Sequence, residues 1–510
     1  MTPRRASAGL FAVAALAVGL LTPGPYPPAA AVGSCAGSSL DLGDARTDAA
    51  RRFIEHLLGD VEGQFSFGPA AANGSRPASL CEIVLGPTGD DVLMIPRLDF
   101  RIAGKGDRIT LTIDDAGRFD WRPLRLGQKT ARPDTLSFRL RRSVAKTPVP
   151  AVAVIDGTGN LRSLNIGVED VKSIVDGKRG AIAAVNIAAA VEPGAAGSVD
   201  LTMTGVDLGD GKGKAGGWKG DIDQAEFHLT LSELEDWRYV LSLFGPVSQS
   251  GDLMADADTP FADDIELRFK FSANVEPGLP GARARLGVVS GSLGVSGLKS
   301  KQEDGAIKMS LDISDGDVRA MGMLPSAARP TGAGFAIDVT QLASDKLWRL
   351  LRASAGSKNR DPAGQAAAAE AFQNSLVESG AQLIVHRLFI AMEQASLAAN
   401  GKYGFTGKAP PAVVGRMQVR LTGLDEVMAS IKTPADQPDF VRSILEKLMD
   451  TGRAETTGGV TTWHYDIQST ANGKTTVNGE DLETLFKSDE PQPNPNADPD
   501  PDAKPSTKPL

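Results

Sequence analysis

The sequence is poor in the residues from which catalytic and metal centres are usually built. It has two cysteines and four histidines in 510 residues, and aromatic side chains make up only 5%. His56, His228, His386 and His464 stand far apart, with no H-E-x-x-H, H-x-H or C-x-x-C near them, so the spacing offers no preformed metal site. No G-x-S-x-G is present. Two S-x-x-K matches, Ser143 with Lys146 and Ser296 with Lys299, lack the companion motifs of penicillin-recognising enzymes. The acidic run Asp252, Asp256, Asp258, Asp263, Asp264 lacks the turn glycine and terminal glutamate of a calcium loop. An excess of positive charge is missing too. A net charge of -9 and a pI near 5.2 argue against nucleic acid, because phosphate binding needs a basic surface that displaces counterions. These absences lead us to expect no catalytic, cofactor-binding or metal-binding residues.

Long apolar runs are equally scarce. One stands near the start, Gly9 to Leu21 ("GLFAVAALAVGLL"), behind Arg4 and Arg5 and ahead of the small-x-small pair Ala29 and Ala31. That is the layout of a cleaved secretory signal, residues 1–31. The run falls short of the ~20 residues that span a bilayer, and no later segment approaches that length. Export to the periplasm is therefore expected. In an oxidising compartment Cys35 and Cys81 read as a structural disulfide. Such a bridge closes a loop of about 45 residues and stabilises by roughly 4 kcal/mol on the chain-entropy model. The alternative is a lipoprotein anchored at Cys35, whose "VGSC" loosely fits a lipid-attachment box. Against it, Pro23, Pro25, Pro27 and Pro28 part that cysteine from the apolar run.

What the chain does have is apolar residues, 41% of the total, set at a period of two. Leu98, Phe100 and Ile102 alternate with Asp99 and Arg101. Ile109, Leu111 and Ile113 alternate with threonines, and Leu136, Phe138 and Leu140 with Ser137 and Arg139. The same alternation returns at Ile265, Leu267, Phe269 and Phe271, and at Ile307, Met309, Leu311 and Ile313. It predicts antiparallel strands with one buried and one wet face. Helices are expected near 44–58, where Ala50, Phe53, Ile54, Leu57 and Leu58 share a face, and at 344–355, 361–378 and 439–450. Another is expected after the capping box Ser232/Glu235, carrying Trp237, Val240, Leu241 and Phe244 and stopped by Gly245 and Pro246. The last residues, 488–510, are too rich in proline and acid to bury a core and read as a disordered tail.

Gly211, Gly213 and Gly216 form a G-x-G-x-x-G, the glycine spacing of dinucleotide-binding loops. Such a loop needs a buried parallel strand before it and a helix after it. Here the flanking segments "VDLTMTGVDL" and "GWKGDIDQAEFHLTL" both alternate, so the stretch reads as a cationic connection between two strands. A second local feature is the basic cluster Arg118, Arg122, Arg125, Lys129, Arg132, Arg139, Arg141, Arg142 and Lys146. It is either the solvated face of strands or a surface for anionic lipid headgroups. A weak repeat joins "GSVDLTMTGVD" (197–207) and "GRMQVRLTGLD" (415–425), which share glycine, threonine-glycine and aspartate at the same offsets, with related strand ends at Gly167 and Gly297.

From about His386 to Leu482 the order "RLFIAMEQASLAANGKYGFTG", "GRMQVRLTGLDEVMASI", "DFVRSILEKLMDTG" and "WHYDIQSTANGKTTVNGEDL" resembles the C-terminal module of an alphaproteobacterial envelope-protein family of unknown function. More loosely it is similar to AsmA-like envelope proteins built from repeated amphipathic strands. Thr422-Gly423, the helix after Asp425 and Asn478-Gly479 carry the likeness, over about a fifth of the chain. It implies an extended periplasmic β architecture and brings no catalytic residues.

The expected fold is mainly β, an elongated antiparallel sheet or layered sheets with several packed helices; α+β is the alternative. We expect a signal peptide (1–31), an N-terminal β-rich region (32–250), a middle β region ending in helices (251–380), a C-terminal strand-helix-hairpin module (381–487) and the tail. The function classes these features favour are a non-enzymatic envelope protein acting through protein contacts or envelope architecture, and a periplasmic carrier of lipid or another hydrophobic ligand. A hydrolase with a site invisible in the sequence comes behind both. The partners in view are envelope proteins or lipid, with no nucleic acid.

Overall fold

A computed structural model describes most of residues 44–484. Residues 1–43 and 485–510 lie outside the described residues, as do 59–63, 68–73, 86–92, 122–134, 141–150, 208–218, 240–257, 277–282, 320–328, 356–361, 408–410, 431–439 and a few shorter stretches.

Period-two patterning folds here into one continuous, open antiparallel sheet. Nineteen strands follow one another across it. They are β1 (Gln64–Phe67), β2 (Arg76–Leu85), β3 (Leu93–Lys105), β4 (Arg108–Asp115), β7 (Ala151–Ile155), β8 (Leu161–Val175), β9 (Lys178–Glu192), β10 (Ala196–Asp207), β11 (Lys219–Ser232), β12 (Ile265–Glu276), β13 (Arg283–Ser296), β14 (Gly305–Ser314), β16 (Pro330–Leu342), β17 (Gln382–Met392), β18 (Ser396–Thr406), β19 (Ala412–Thr422), β21 (Val460–Ser469), β22 (Thr475–Val477) and β23 (Glu480–Asp481). Four further strands extend its lines: β5 (Arg118–Trp121) and β6 (Thr135–Leu140) beside β8, β15 (Asp317–Arg319) beside β13, and β20 (Arg453–Thr457) beside β21. Every expected strand is present, as β3, β4, β6, β12 and β14. Pairing runs unbroken from β11 to β12 and from β16 to β17, across residues 250 and 380.

Five α-helices accompany the sheet among the described residues. They are α1 (Ala45–Leu58), α2 (Ser344–Ala355), α3 (Pro362–Glu378), α4 (Leu424–Ser430) and α5 (Phe440–Thr451). α1 is fastened to the β7–β8 turn by Arg52, which donates to the carbonyls of Gly157 and Thr158. That turn is closed by Asp156, which accepts from the amides of Thr158 and Asn160 and from the Thr158 hydroxyl. Burial pushes the Asp156 carboxyl up, but these donors and Arg162 outweigh it and hold it below the usual range. The expected capping box at Ser232 is not made. The Ser232 hydroxyl instead donates to Asp264 and accepts from the Asp264 amide, tying the end of β11 to the start of β12. The rest of that expected helix, from Val240 on, lies outside the described residues.

One irregularity crosses several strands at the same level. Buried apolar positions fall three residues apart, Val168 and Val171, Ile182 and Val185, Met203 and Val206, Ile222 and Ala225, and each is paired in register with its counterpart on the next strand. Two residues turn outward between them, with positive φ at Asp170 (54°) and Gly205 (60°). Extra residues of this kind bend a sheet and raise its twist while keeping one face apolar. Gly205 is the glycine of the first repeat copy. Its counterpart, Gly423 (φ 79°), ends β19 before α4 instead. The repeat thus preserves a left-handed backbone position, used once inside a strand and once at its end.

Gly205→Ala should destabilise the protein by about 1–3 kcal/mol, the cost of holding a non-glycine residue at such a dihedral. A Cβ there would also lie 2.8 Å from that of Ala183. Thermal unfolding checks this, and Ala183→Gly in the same chain should restore only part of the loss, because the dihedral cost remains.

Candidate apolar ligand face

Strand register puts one apolar side chain after another on a single face. Ile102 is opposite Leu111, and the row continues through Ala153, Leu164, Ala189, Val199, Leu229, Leu267, Leu293, Met309, Ile337, Val385, Gly401 and Met417 to Ile467. A parallel row two residues along runs through Leu201, Phe227, Phe269, Gly291, Leu311, Phe335, Leu388, Ala399 and Val419 to Tyr465. At β17 the register shifts between Val385 and Leu388 relative to β18. The bulge lets both side chains stay on the apolar face, where an unbroken strand would turn one outward. The Phe269 ring lies over Gly291, since a Cβ at the glycine would come within 2.7 Å of it. Aromatic cover of this kind fills the gap that a strand glycine leaves.

The face is not covered evenly. Over the first half it is sealed: Val199 and Met203 are 0% exposed. Ala49, Ala50, Phe53 and Ile54 of α1 belong to the same buried cluster. So does a rim of Leu234, Trp237, Phe261, Leu298, Leu342, Leu347 and Trp348, in which Phe53 meets Trp237 at 5.5 Å and Phe261 meets Trp348 edge-on at 5.7 Å. In the middle the cover is partial: Ile307, Val339 and Phe405 pack against the cluster that holds Leu347 and Trp348 of α2 and Leu376 of α3, whereas Leu293 and Met309 are 47% and 36% exposed. At the far end α5 closes the face again. Its Leu445, Leu448 and Met449 pack with Leu421, Tyr465 and Trp463, and the Tyr465 hydroxyl donates to the carbonyl of Leu448 at 2.9 Å. Asn478 and Gly479, at positive φ, form the β22–β23 turn. The Asn478 side chain donates to the carbonyls of Thr451 and His464, locking the end of α5 to β21.

The opposite face carries the charge. Asp200 meets His228 at 2.6 Å, Glu266 meets Arg268 at 2.8 Å and His386 meets Asp338 at 2.9 Å, while Arg387 pairs with Asp312, and Arg416 with Asp466. The hydrogen bond from Arg416 holds the Asp466 carboxyl below its usual range. His464 pairs with Glu455 at 3.2 Å. Glu266 and Arg268 are two residues apart on β12 and the other pairs join different strands; all lie on the wet face, and each is worth about 1 kcal/mol or less.

Of the remaining sequence candidates, Ser143, Lys146, Asp252 and Asp256 lie outside the described residues. Cys81 is on β2 opposite Gln64 and Arg97; Cys35 lies outside the described residues. Asp263 and Asp264 accept the amides of Lys299 and Gly297, and Asp258 pairs with Arg352. Lys299 itself is taken up by Glu235 and the Glu233 carbonyl, away from any role with Ser296. No group of three His, Cys, Asp or Glu side chains among the described residues could hold a metal ion. The glycine-rich stretch joins β10 and β11, which pair antiparallel with Asp207 opposite Asp221, so it does not belong to the parallel βαβ unit that a dinucleotide loop requires. Of the basic cluster, Arg118 and Arg139 fall opposite each other on β5 and β6, and the others lie outside the described residues. The chain matches no protein-family model, no curated protein and no solved structure.

Burial pushes the Tyr465 hydroxyl up to about 12. A raised value means that the hydroxyl's contribution is complete below its unfolded value of about 10 and is lost as pH rises between about 10 and 12. Tyr465→Phe should therefore cost about 1 kcal/mol at neutral pH through the lost hydrogen bond to α5, and should flatten the stability curve across that alkaline window. Chemical unfolding at a series of pH values measures both.

Proposed function

We propose that the protein is an exported, non-enzymatic carrier that binds the acyl part of a lipid, or a ligand of like shape, on the open stretch of its apolar face. The observation that carries this reading is the exposure of Leu293 and Met309, side by side in register on the apolar face. A sheet face this apolar needs a cover, and its lining of Leu, Ile, Val and Met offers dispersion contacts without hydrogen bonds. Acyl chains ask for nothing else. The loose likeness to AsmA-like proteins, carried by Thr422-Gly423 and Asn478-Gly479, agrees with a place in the envelope. A second reading, assembly through protein contacts, draws on the open sheet: among the described residues β1 pairs on one side only, and all of β20 is exposed.

Leu293→Asp with Met309→Asp should lower the affinity for a fluorescent phospholipid at least about tenfold, about 1.4 kcal/mol, by placing charge on the floor. Both positions are exposed enough for the variant to fold, which thermal unfolding verifies. A folded variant that binds lipid as tightly as the parent would overturn the reading.

The export reading carries its own test, because an oxidising compartment would join Cys35 to Cys81. Thiol labelling of denatured, unreduced protein should then find no free cysteine. Two labelled thiols would remove the bridge, and a diacylglyceryl mass on the N-terminal peptide would assign Cys35 to a lipid anchor.

A further inference from the structure

Like charges directly opposite each other on neighbouring strands destabilise a sheet, and the charged face of the last strands sets several together. Nearer the middle, Glu226 faces Lys270 and Lys308 faces Asp338, opposite signs in each case. Beyond β17 the matching fails. Lys402 of β18 faces Arg416 of β19, and Arg420 of β19 faces His464 of β21, which in turn faces Arg453 of β20. Lys402, Arg416, Arg420 and Arg453 are all exposed. The two carboxylates beside them are already engaged, Asp466 with Arg416 and Glu455 with His464. Lys402 and Arg420 have no ion-pair partner among the described residues. A cationic surplus thus stands on one end of a chain whose net charge is -9.

Independently of the lipid reading, we infer that the chain's own acidic segment 488–502, "SDEPQPNPNADPDPD", lies across this basic patch as its resident counter-charge. The segment carries Asp489, Glu490, Asp498, Asp500 and Asp502 and no basic residue. It follows closely on β23, which pairs with β22 beside β21, at the same end of the sheet as the patch. From β23 to β19 and β18 is three to four strand spacings, about 14–19 Å. A proline-rich chain rises about 3.1 Å per residue, so the stretch from Thr484 to Asp498 spans about 43 Å and reaches every cation named. Tethering holds the segment at an effective concentration of about millimolar, so exposed ion pairs too weak to capture a free partner suffice for this one. Its prolines lack the N–H that a strand donates, which rules out addition to the open edge of β20 and leaves charge as the means of attachment. An anionic partner from outside meets the patch only by displacing this segment.

The test uses the full chain, as an equal mixture of ¹⁴N and ¹⁵N protein, and a carbodiimide that joins a carboxylate to a lysine amine in direct contact with it. Linked peptides are then mapped by mass. At 50 mM salt, links from 488–502 to Lys402 should exceed links to Lys270 or Lys308, farther along the same face, by at least about tenfold, and should join peptides of one isotope only. At 1 M salt, where screening acts within about 3 Å, the yield at Lys402 should fall at least about fivefold. Arg420→Glu with Arg453→Glu, which leaves Lys402 in place as the reporter, should lower it as far at 50 mM salt; thermal unfolding verifies that this variant folds, and the salt series stands without it. No link at Lys402, equal links at Lys270 and Lys308, or a yield indifferent to salt or to a folded charge-reversed variant would overturn the inference. Links that join the two isotopes would assign the patch to the tail of a second copy and overturn the intramolecular contact. None of these outcomes bears on lipid binding at Leu293 and Met309, which lie on the opposite face.

Discussion

A strand that alternates apolar and polar side chains creates a face that water will not tolerate, and nineteen such strands in register create a very long one. The rest of this molecule answers that constraint. α1 and the aromatic rim around Trp237, Phe261 and Trp348 belong to the seal over the first half, and α5 shuts the last strands. At about 25 cal/mol per Å² of apolar surface, covering this face is the largest favourable contribution available to the fold. The exposed ion pairs on the other side contribute little by comparison. Leaving Leu293 and Met309 exposed forgoes part of that gain.

Keeping the apolar residues on one face is the second demand. A slip of one residue would turn a whole strand over. The chain meets every need for an extra residue with a compensated one: the paired three-residue steps across β8–β11, and the bulge at His386 and Arg387 between Val385 and Leu388. Positive-φ positions at Asp170 and Gly205 make the first possible. The polar groups released by these breaks face outward, where His386 finds Asp338 and Arg387 finds Asp312. His228, His386 and His464 thus serve as cross-strand partners on a wet surface.

Much of the fold was legible beforehand because period two is a local signal. β3, β4, β12 and β14 lie where their alternation predicts, and α1, α2, α3 and α5 fall within two residues of their expected bounds. The G-x-G-x-x-G stretch was readable as a strand connection for the same reason, from the alternation on both flanks. Where sequence reading went astray, a long-range partner had intervened. Ser232 and Glu235 have the spacing of a capping box, but Asp264, thirty-two residues on, takes the Ser232 hydroxyl. The aromatic rim was not foreseeable either, since Phe53, Trp237, Phe261 and Trp348 come from four separate segments.

By itself the sequence determined that there would be an apolar face, which residues would line it, and that its lining would be aliphatic, because each strand's sidedness is written in its own alternation. Only the tertiary structure decided which part of that face is open. Val199 and Leu293 are alike in sequence, each an aliphatic residue in an amphipathic strand and on the same row. One is 0% exposed and the other 47%, because burial depends on which distant element lies across the strand. That placement follows from the bend of the sheet and the packing of α1, α5 and the aromatic rim, a property of the whole chain that no local pattern contains.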